Sequence, residues 1–179
     1  MGYHHGDLRA ALIRASFDVL AETGLERFSV AAVARRLGVS SAAPYRHFPD
    51  RDHLLSAVSA AAADDLRAAI VAAVAEDPAD GLAAAAGAYV RYVVRTGAGI
   101  QVIFAAELYA VADDDRRERT RALMTTMLEL TGADARLLEA TLAVAHGYAS
   151  LIIQGFFSQG ADTLEEIAGR AAQAARALR

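Results

Sequence analysis

The sequence predicts an all-α protein, and three observations lead there. Hydrophobic residues make up 55% of the 179 positions, and alanine, the strongest helix former, dominates them. The chain contains only 3 prolines. Apolar residues recur at helical spacing, and Val, Ile and Thr do not gather into alternating runs.

The first helical face is carried by residues 7–23, where Leu8, Ala11, Leu12, Ala15, Val19 and Leu20 line up, Asp7 is placed to cap and Gly24 to stop. Ser29 caps a second helix whose buried stripe is Val30, Val33, Ala34 and Leu37, and Gly38 ends it. The segment "SSAAPYRHF" (40–48) follows. With Ser40 or Ser41 as N-cap, Pro44 falls in the first turn, where backbone N–H groups have no acceptor within the helix. Proline disfavours the α conformation at Ala43, so that turn is expected to be irregular or 3-10-like.

Asp50 caps a long helix over about 51–77, which at 1.5 Å per residue spans roughly 40 Å. Further helices are expected over 82–96, 100–111, 115–131, 135–158 and 163–178, separated by turns such as "PADG", "TGAD" and "QGAD". The chain is thus expected to divide into a small N-terminal three-helix domain, residues 1–50, joined by the long fourth helix to a larger helical domain, residues 51–179.

The formal net charge is −4, which argues against indiscriminate nucleic-acid binding. Its distribution is uneven. Residues 1–55 hold seven arginines against six carboxylates, residues 56–179 eleven against sixteen, and there is no lysine. An anion-binding face therefore belongs in the first part. There is no cysteine, which excludes disulfides and thiolate metal sites. No apolar run reaches membrane-spanning length, and the start "MGYHHGDLRAAL" has no signal-peptide core. A cytoplasmic protein without membrane association is expected.

A short helix, a glycine turn and a capped second segment have the spacing of a helix-turn-helix, whose second helix enters the major groove of DNA. On that reading Ser41, Ala42 and Arg46 touch bases. Tyr45, His47 and Arg51 hold phosphates, while Ser29, Ser40 and Ala43 complete the interface. A plain three-helix core with a solvated Arg/His surface has the same local pattern. The helix expected over 135–158 is too apolar for a surface helix. As the face of a homodimer it would present Leu142, Ala149, Ile152, Ile153 and Phe156; it could equally be the central helix of a monomer.

No nucleophile, acid/base or phosphate-loop set has local support, so no enzyme and no cofactor is expected. Adjacent His4 and His5 do not share a helix face, and "DDD" at 113–115 lacks the loop glycine and later Glu of a calcium site. Helix capping accounts for it better, and no metal is expected. His146 stands alone in an apolar helix, either as a hydrogen-bonded core residue or as a polar group facing a cavity. Tyr89, Tyr92, Phe104, Tyr109, Met124 and Met127 are further candidates for a cavity wall, although such residues are more often plain core. A mostly apolar wall suits a hydrophobic small ligand.

The stretch "FSVAAVARRLGVSSAAPYRHFPDRDHLLSAV" resembles the N-terminal domain of TetR-family transcriptional regulators. Their pattern of capped helix, A-x-x-L-G-V-S, aromatic block, basic helix start and Leu-Leu pair is met by Ser29, Ala34 to Ser40, Tyr45 to Phe48, Arg51 and Leu54-Leu55. Pro44 stands where a bulky residue is common, and Arg51 where Lys is commonest. "AVAHGYASLIIQGFF" (143–157) and "YHHGDLR" (3–9) resemble one subgroup with a Trp/Ala-His-Gly segment in its C-terminal domain. The resemblance implies a homodimer formed largely by the last two helices, double-stranded operator DNA as partner, and a ligand cavity in the C-terminal domain. It also implies repression relieved by a small-molecule effector. A helical carrier that has lost DNA binding, with Pro44 as its sequence support, is the alternative.

Overall fold

The computed structural model describes residues 5–97, 99–157 and 162–179. His4 and most of the "QGAD" turn lie outside the described residues. Eight α-helices run through the described residues: α1 His5–Thr23, α2 Val30–Arg36, α3 Arg51–Glu76, α4 Gly81–Thr96, α5 Gly99–Ile103, α6 Asp114–Leu130, α7 Ala135–Ile153 and α8 Leu164–Arg176. Short 3-10 turns occupy Pro44–Arg46, Pro78–Asp80 and Ala106–Ala110. The expected all-α class holds, and no strand occurs among the described residues.

Several boundaries differ from those read in the sequence, each for a local reason. α1 begins at His5, so Asp7 lies in its first turn rather than at its cap. The helix expected over 100–111 is interrupted at Ala105, whose backbone is extended (φ −63, ψ 112). There the buried Arg116 donates Nη2 to the carbonyl of Leu108 at 2.9 Å and holds the chain in a 3-10 turn. α7 stops at Ile153 rather than 158. Gly155 takes φ +77, and the N–H of Phe156 reaches back to the Leu151 carbonyl at 2.9 Å, closing the helix with a left-handed glycine.

The chain groups into two units. The first comprises residues up to 63 together with 96–120; the second comprises 64–95 and 121–179. The boundary expected after residue 50 falls inside the first unit, because the first half of α3 buries Leu54, Leu55 and Val58 there. In this unit α1 packs on α2 and α5, around a core of Leu12, Leu20, Phe28, Val33 and Phe48. Asp113 caps α6, accepting from the Arg116 N–H at 3.0 Å and from the Ser56 hydroxyl at 2.7 Å. Burial alone would raise its pKa. The two donors and the Arg116 charge outweigh that and hold it below the ordinary carboxylate value.

In the second unit α7 packs on α8. The start of α8 is fixed by a capping box in which Thr163 and Glu166 satisfy each other's backbone N–H groups. Gly87 of α4 lets the α8 backbone come close: a Cβ there would lie 3.4 Å from the Ala168 carbonyl oxygen and 3.3 Å from the Arg91 guanidinium.

Candidate nucleic-acid interface and apolar cavity

In the first unit, Ser29 caps α2 as expected, its hydroxyl accepting from the Ala32 N–H at 3.2 Å. Val30, Val33 and Ala34 turn inward and Leu37 is half-buried. Gly38 takes φ +66, and the Val39 N–H bonds to the Ala34 carbonyl at 3.1 Å. The left-handed position that closes the helix favours glycine, and it aims the chain into the segment 40–48.

Of the helix expected after the Ser40 or Ser41 cap, with an irregular or 3-10-like first turn, only such a turn forms. It is a 3-10 turn, Pro44–Arg46, and neither Ser40 nor Ser41 caps it through a side chain. Pro44 has no N–H to offer the Ser40 carbonyl, so that carbonyl accepts from Ala43 instead, at 3.0 Å. Ala43 itself is α-like (φ −62, ψ −41) despite preceding a proline. Pro44 is buried together with Phe48, and this anchors the turn while its other face points outward. Ser40, Ser41, Ala42, Tyr45 and Arg46 are exposed; Ala43 and His47 are half-buried. Tyr45 is 54% exposed, and neither its side chain nor that of Arg46 has a hydrogen-bond or ion-pair partner among the described residues.

Arg51 is placed differently from its expected phosphate role. Its Nη2 donates to the Leu25 carbonyl at 2.7 Å and its Nε to the Phe28 carbonyl at 3.3 Å. Its Nη1 pairs with Asp52 at 2.9 Å and Glu107 at 3.4 Å. The guanidinium, 6.0 Å from the Phe28 ring, is thereby engaged within the unit. Asp50 does cap α3: its carboxylate accepts from the His53 N–H at 2.9 Å and lies 2.8 Å from His53 Nδ1. The His53 N–H and ring together hold Asp50 below its ordinary pKa.

Sequence reasoning overlooked Arg35. Its neighbour Arg36 pairs with Glu22 and Asp18 of α1, whereas Arg35 is exposed and has no partner among the described residues. The sequence shows only two adjacent arginines. The helical turn that separates them decides which is neutralised.

In the second unit a small cavity lies among α3, α4, α6 and α7. Its heart is about 20 Å³, room for one water-sized body, within a hollow of about 310 Å³ counted out to solvent. Ile70, Leu82, Tyr89, Met127, Leu138 and Thr141 are among its lining residues, and the wall exposes carbon only. Of the expected lining residues, Tyr89 and Met127 are at the wall. Tyr92 is buried in the same unit beside a separate groove with Arg91 and Arg95. Met124 is half-buried and away from the wall. Phe104 and Tyr109 belong to the first unit and are 41% and 62% exposed. His146 is exposed, not a core histidine, and its Nδ1 lies 3.1 Å from the Tyr89 hydroxyl. Burial pushes the Tyr89 phenol upward in pKa, so the hydroxyl stays neutral.

The expected dimer face divides in the same way. Ala149 is fully buried within the single chain, and Leu142 is half-buried and lines the cavity. Ile152 is half-buried, while Ile153 and Phe156 are 53% and 69% exposed. Leu151, overlooked in the sequence, is exposed beside them. A Cβ on Gly147 would meet nothing within 4 Å, so that glycine is not needed for close packing inside the chain.

Among the described residues no group of three His, Cys, Asp or Glu side chains is placed to hold a metal ion, and no helix is long and apolar enough to cross a membrane.

Residues 12–58 match the family model of bacterial regulatory proteins, tetR family. No curated protein matches the chain. Among solved structures, a protein of unknown function from Rhodococcus sp. RHA1 is 29% identical, with a TM-score of 0.76 over 99% of this chain and 98% of that one. A transcriptional regulator, also from Rhodococcus sp. RHA1, is 25% identical, with a TM-score of 0.65 over 92% of this chain and 94% of that one. A TetR family transcription regulator from Marinobacter aquaeolei VT8 is 15% identical and shares the fold, with a TM-score of 0.65 over 93% and 94% of the two chains. Residues 12–58 are therefore similar to the tetR-family model, and the chain over nearly its whole length shares the fold of these solved structures.

Proposed function

We propose that the protein is a cytoplasmic, DNA-binding transcriptional repressor that acts as a homodimer and leaves its operator when a small, largely apolar ligand binds. We assign DNA reading to residues 1–50, which lie within the first unit, and ligand binding and dimerisation to the part of residues 51–179 that forms the second. The Ala145-His146-Gly147 segment supports its place in the subgroup with a Trp/Ala-His-Gly C-terminal domain. The observation that carries the reading is the outward face of the 40–47 turn. Ser41, Ala42 and Arg46 are exposed on a segment pinned from behind by Pro44 and Phe48. They are the base-reading candidates, with Ser29, Ser40 and Ala43 around them. Tyr45, His47 and Arg35 take the phosphates. Two copies would meet successive major grooves about 34 Å apart.

The cavity supplies the effector site. A ligand there would act on the reading segment through α3, whose residues 51–63 belong to the first unit and 64–76, including the wall residue Ile70, to the second. It needs only different affinity for the DNA-bound and DNA-free states. Exposed Leu151, Ile153 and Phe156 support pairing with a second copy, since such a patch is costly in a monomer.

The test is a salt titration of binding to the intergenic DNA beside the protein's own gene, with scrambled DNA as control. Preferential binding that weakens steeply with salt is expected. Equal or no binding on both, followed by no enriched site in a genome-wide selection, overturns the reading.

A further inference from the structure

The polar groups nearest the cavity are both turned away from it. Thr141 is at the wall, but its hydroxyl donates to the Leu137 carbonyl one turn back, at 2.8 Å. Tyr89 presents its ring to the cavity, while its hydroxyl lies 3.1 Å from Nδ1 of the exposed His146. The two rings meet edge to face, with centroids 6.3 Å apart. The neutral phenol donates naturally to an unprotonated Nδ1. The remaining wall is Leu, Ile, Ala and Met side chain.

A ligand in such a cavity gains from burying carbon and finds nothing to satisfy a polar group. Met127 and the half-buried Leu142 give the wall unbranched or flexible side chains that can adapt to a ligand's shape. We infer that the effector is a small uncharged hydrocarbon-like molecule without a hydrogen-bonding group, and that His146 sets this selectivity by holding the Tyr89 hydroxyl outside the cavity. The inference rests on the ligand-responsive reading above and names the ligand class for that site. His146 is a positioning residue: it acts through Tyr89 and does not line the wall.

The experiment uses the full chain without DNA and three ring compounds of matched size: toluene, phenol and benzoate. Thermal shift and direct titration read their binding. Toluene should raise the melting temperature, and phenol should bind about tenfold more weakly or worse, because its hydroxyl would be buried unpaired. Benzoate should not bind. In His146→Ala the Tyr89 hydroxyl loses its outside partner and can turn to a ligand, so the toluene-to-phenol ratio should fall several-fold. His146 is exposed, so this variant is expected to fold, and its unliganded melting curve checks that.

Phenol or benzoate binding as tightly as toluene overturns the inference, as does binding of none of the three. An unchanged ratio in the folded His146→Ala protein overturns the role given to His146. Because DNA is absent, the two readings fail separately. Toluene binding by a chain that recognises no operator keeps the cavity's ligand class and sinks the regulator. Operator binding with no response to toluene keeps the regulator and sinks the ligand class.

Discussion

Arg51 Nη2 donates to the carbonyl oxygen of Leu25 at 2.7 Å, so the first residue of α3 closes the loop that joins α1 to α2. The same guanidinium satisfies the Phe28 carbonyl. Arg51→Ala leaves both acceptors without this donor and should cost about 1–3 kcal/mol of stability in urea denaturation. Arg51→Lys should recover little, since an ammonium cannot fork to two carbonyls. The slope of operator affinity against salt should stay the same in either variant, in contrast to the loss a phosphate contact would show.

Arg46 is the exposed cation of the reading turn. Arg46→Ala should weaken operator binding by about tenfold or more while leaving the unfolding midpoint within error, because the side chain has no partner among the described residues. Arg35→Ala should weaken binding to operator and scrambled DNA alike and lower the salt slope by about one. Fluorescence anisotropy at several salt concentrations separates the two effects.

Ser29→Ala removes the acceptor for the Ala32 N–H. A loss of about 1 kcal/mol is expected, read as a shifted urea midpoint. Ser29→Asp should retain most of the stability.

Asp113 and Asp50 both titrate below their ordinary value of 3.8 in the folded protein. A carboxylate depressed in this way contributes stability that is fully present above its unfolded pKa and is lost as pH falls through the folded one. Stability should therefore hold from neutral pH to about 5 and decline below about 4. Asp113→Asn should flatten that decline, as urea midpoints at pH 7, 4 and 3 would show.

Ile153, the last residue of α7, and Phe156, in the turn just beyond it, are an exposed apolar pair. The double variant Ile153→Glu, Phe156→Glu should sediment as a monomer where the parent sediments as a dimer. A parent that is monomeric at tens of micromolar would sink the proposed assembly.

Features set by neighbours in sequence were legible: Ser29 as a cap, Gly38 as a helix stop, Asp50 ahead of α3 and the aspartate run 113–115 as the capping stretch of α6. Features set across the fold were not. Arg51 meets partners at Leu25, Phe28 and Glu107, and its motif position alone suggested a phosphate. The Tyr89–His146 contact joins residues 57 positions apart, and only the crossing of α4 and α7 reveals it. Helical spacing put Met124 and Met127 on equal terms, though only Met127 reaches the cavity wall. Pro44 was recognised as compatible with a helix start. That its ring would serve as a buried anchor depended on Phe48 being buried alongside it.

The anchored turn bears on how DNA recognition is timed. Pro44 fixes its own φ, Phe48 ties the far end, and the Ser40 and Ala43 carbonyls are already bonded. If this turn reads DNA as proposed, its surface has its shape before any duplex arrives and gives up little chain entropy on contact. Recognition of this kind proceeds by docking a finished surface, without coupled folding. Calorimetry of operator binding should accordingly show a heat-capacity change that matches the buried contact area alone.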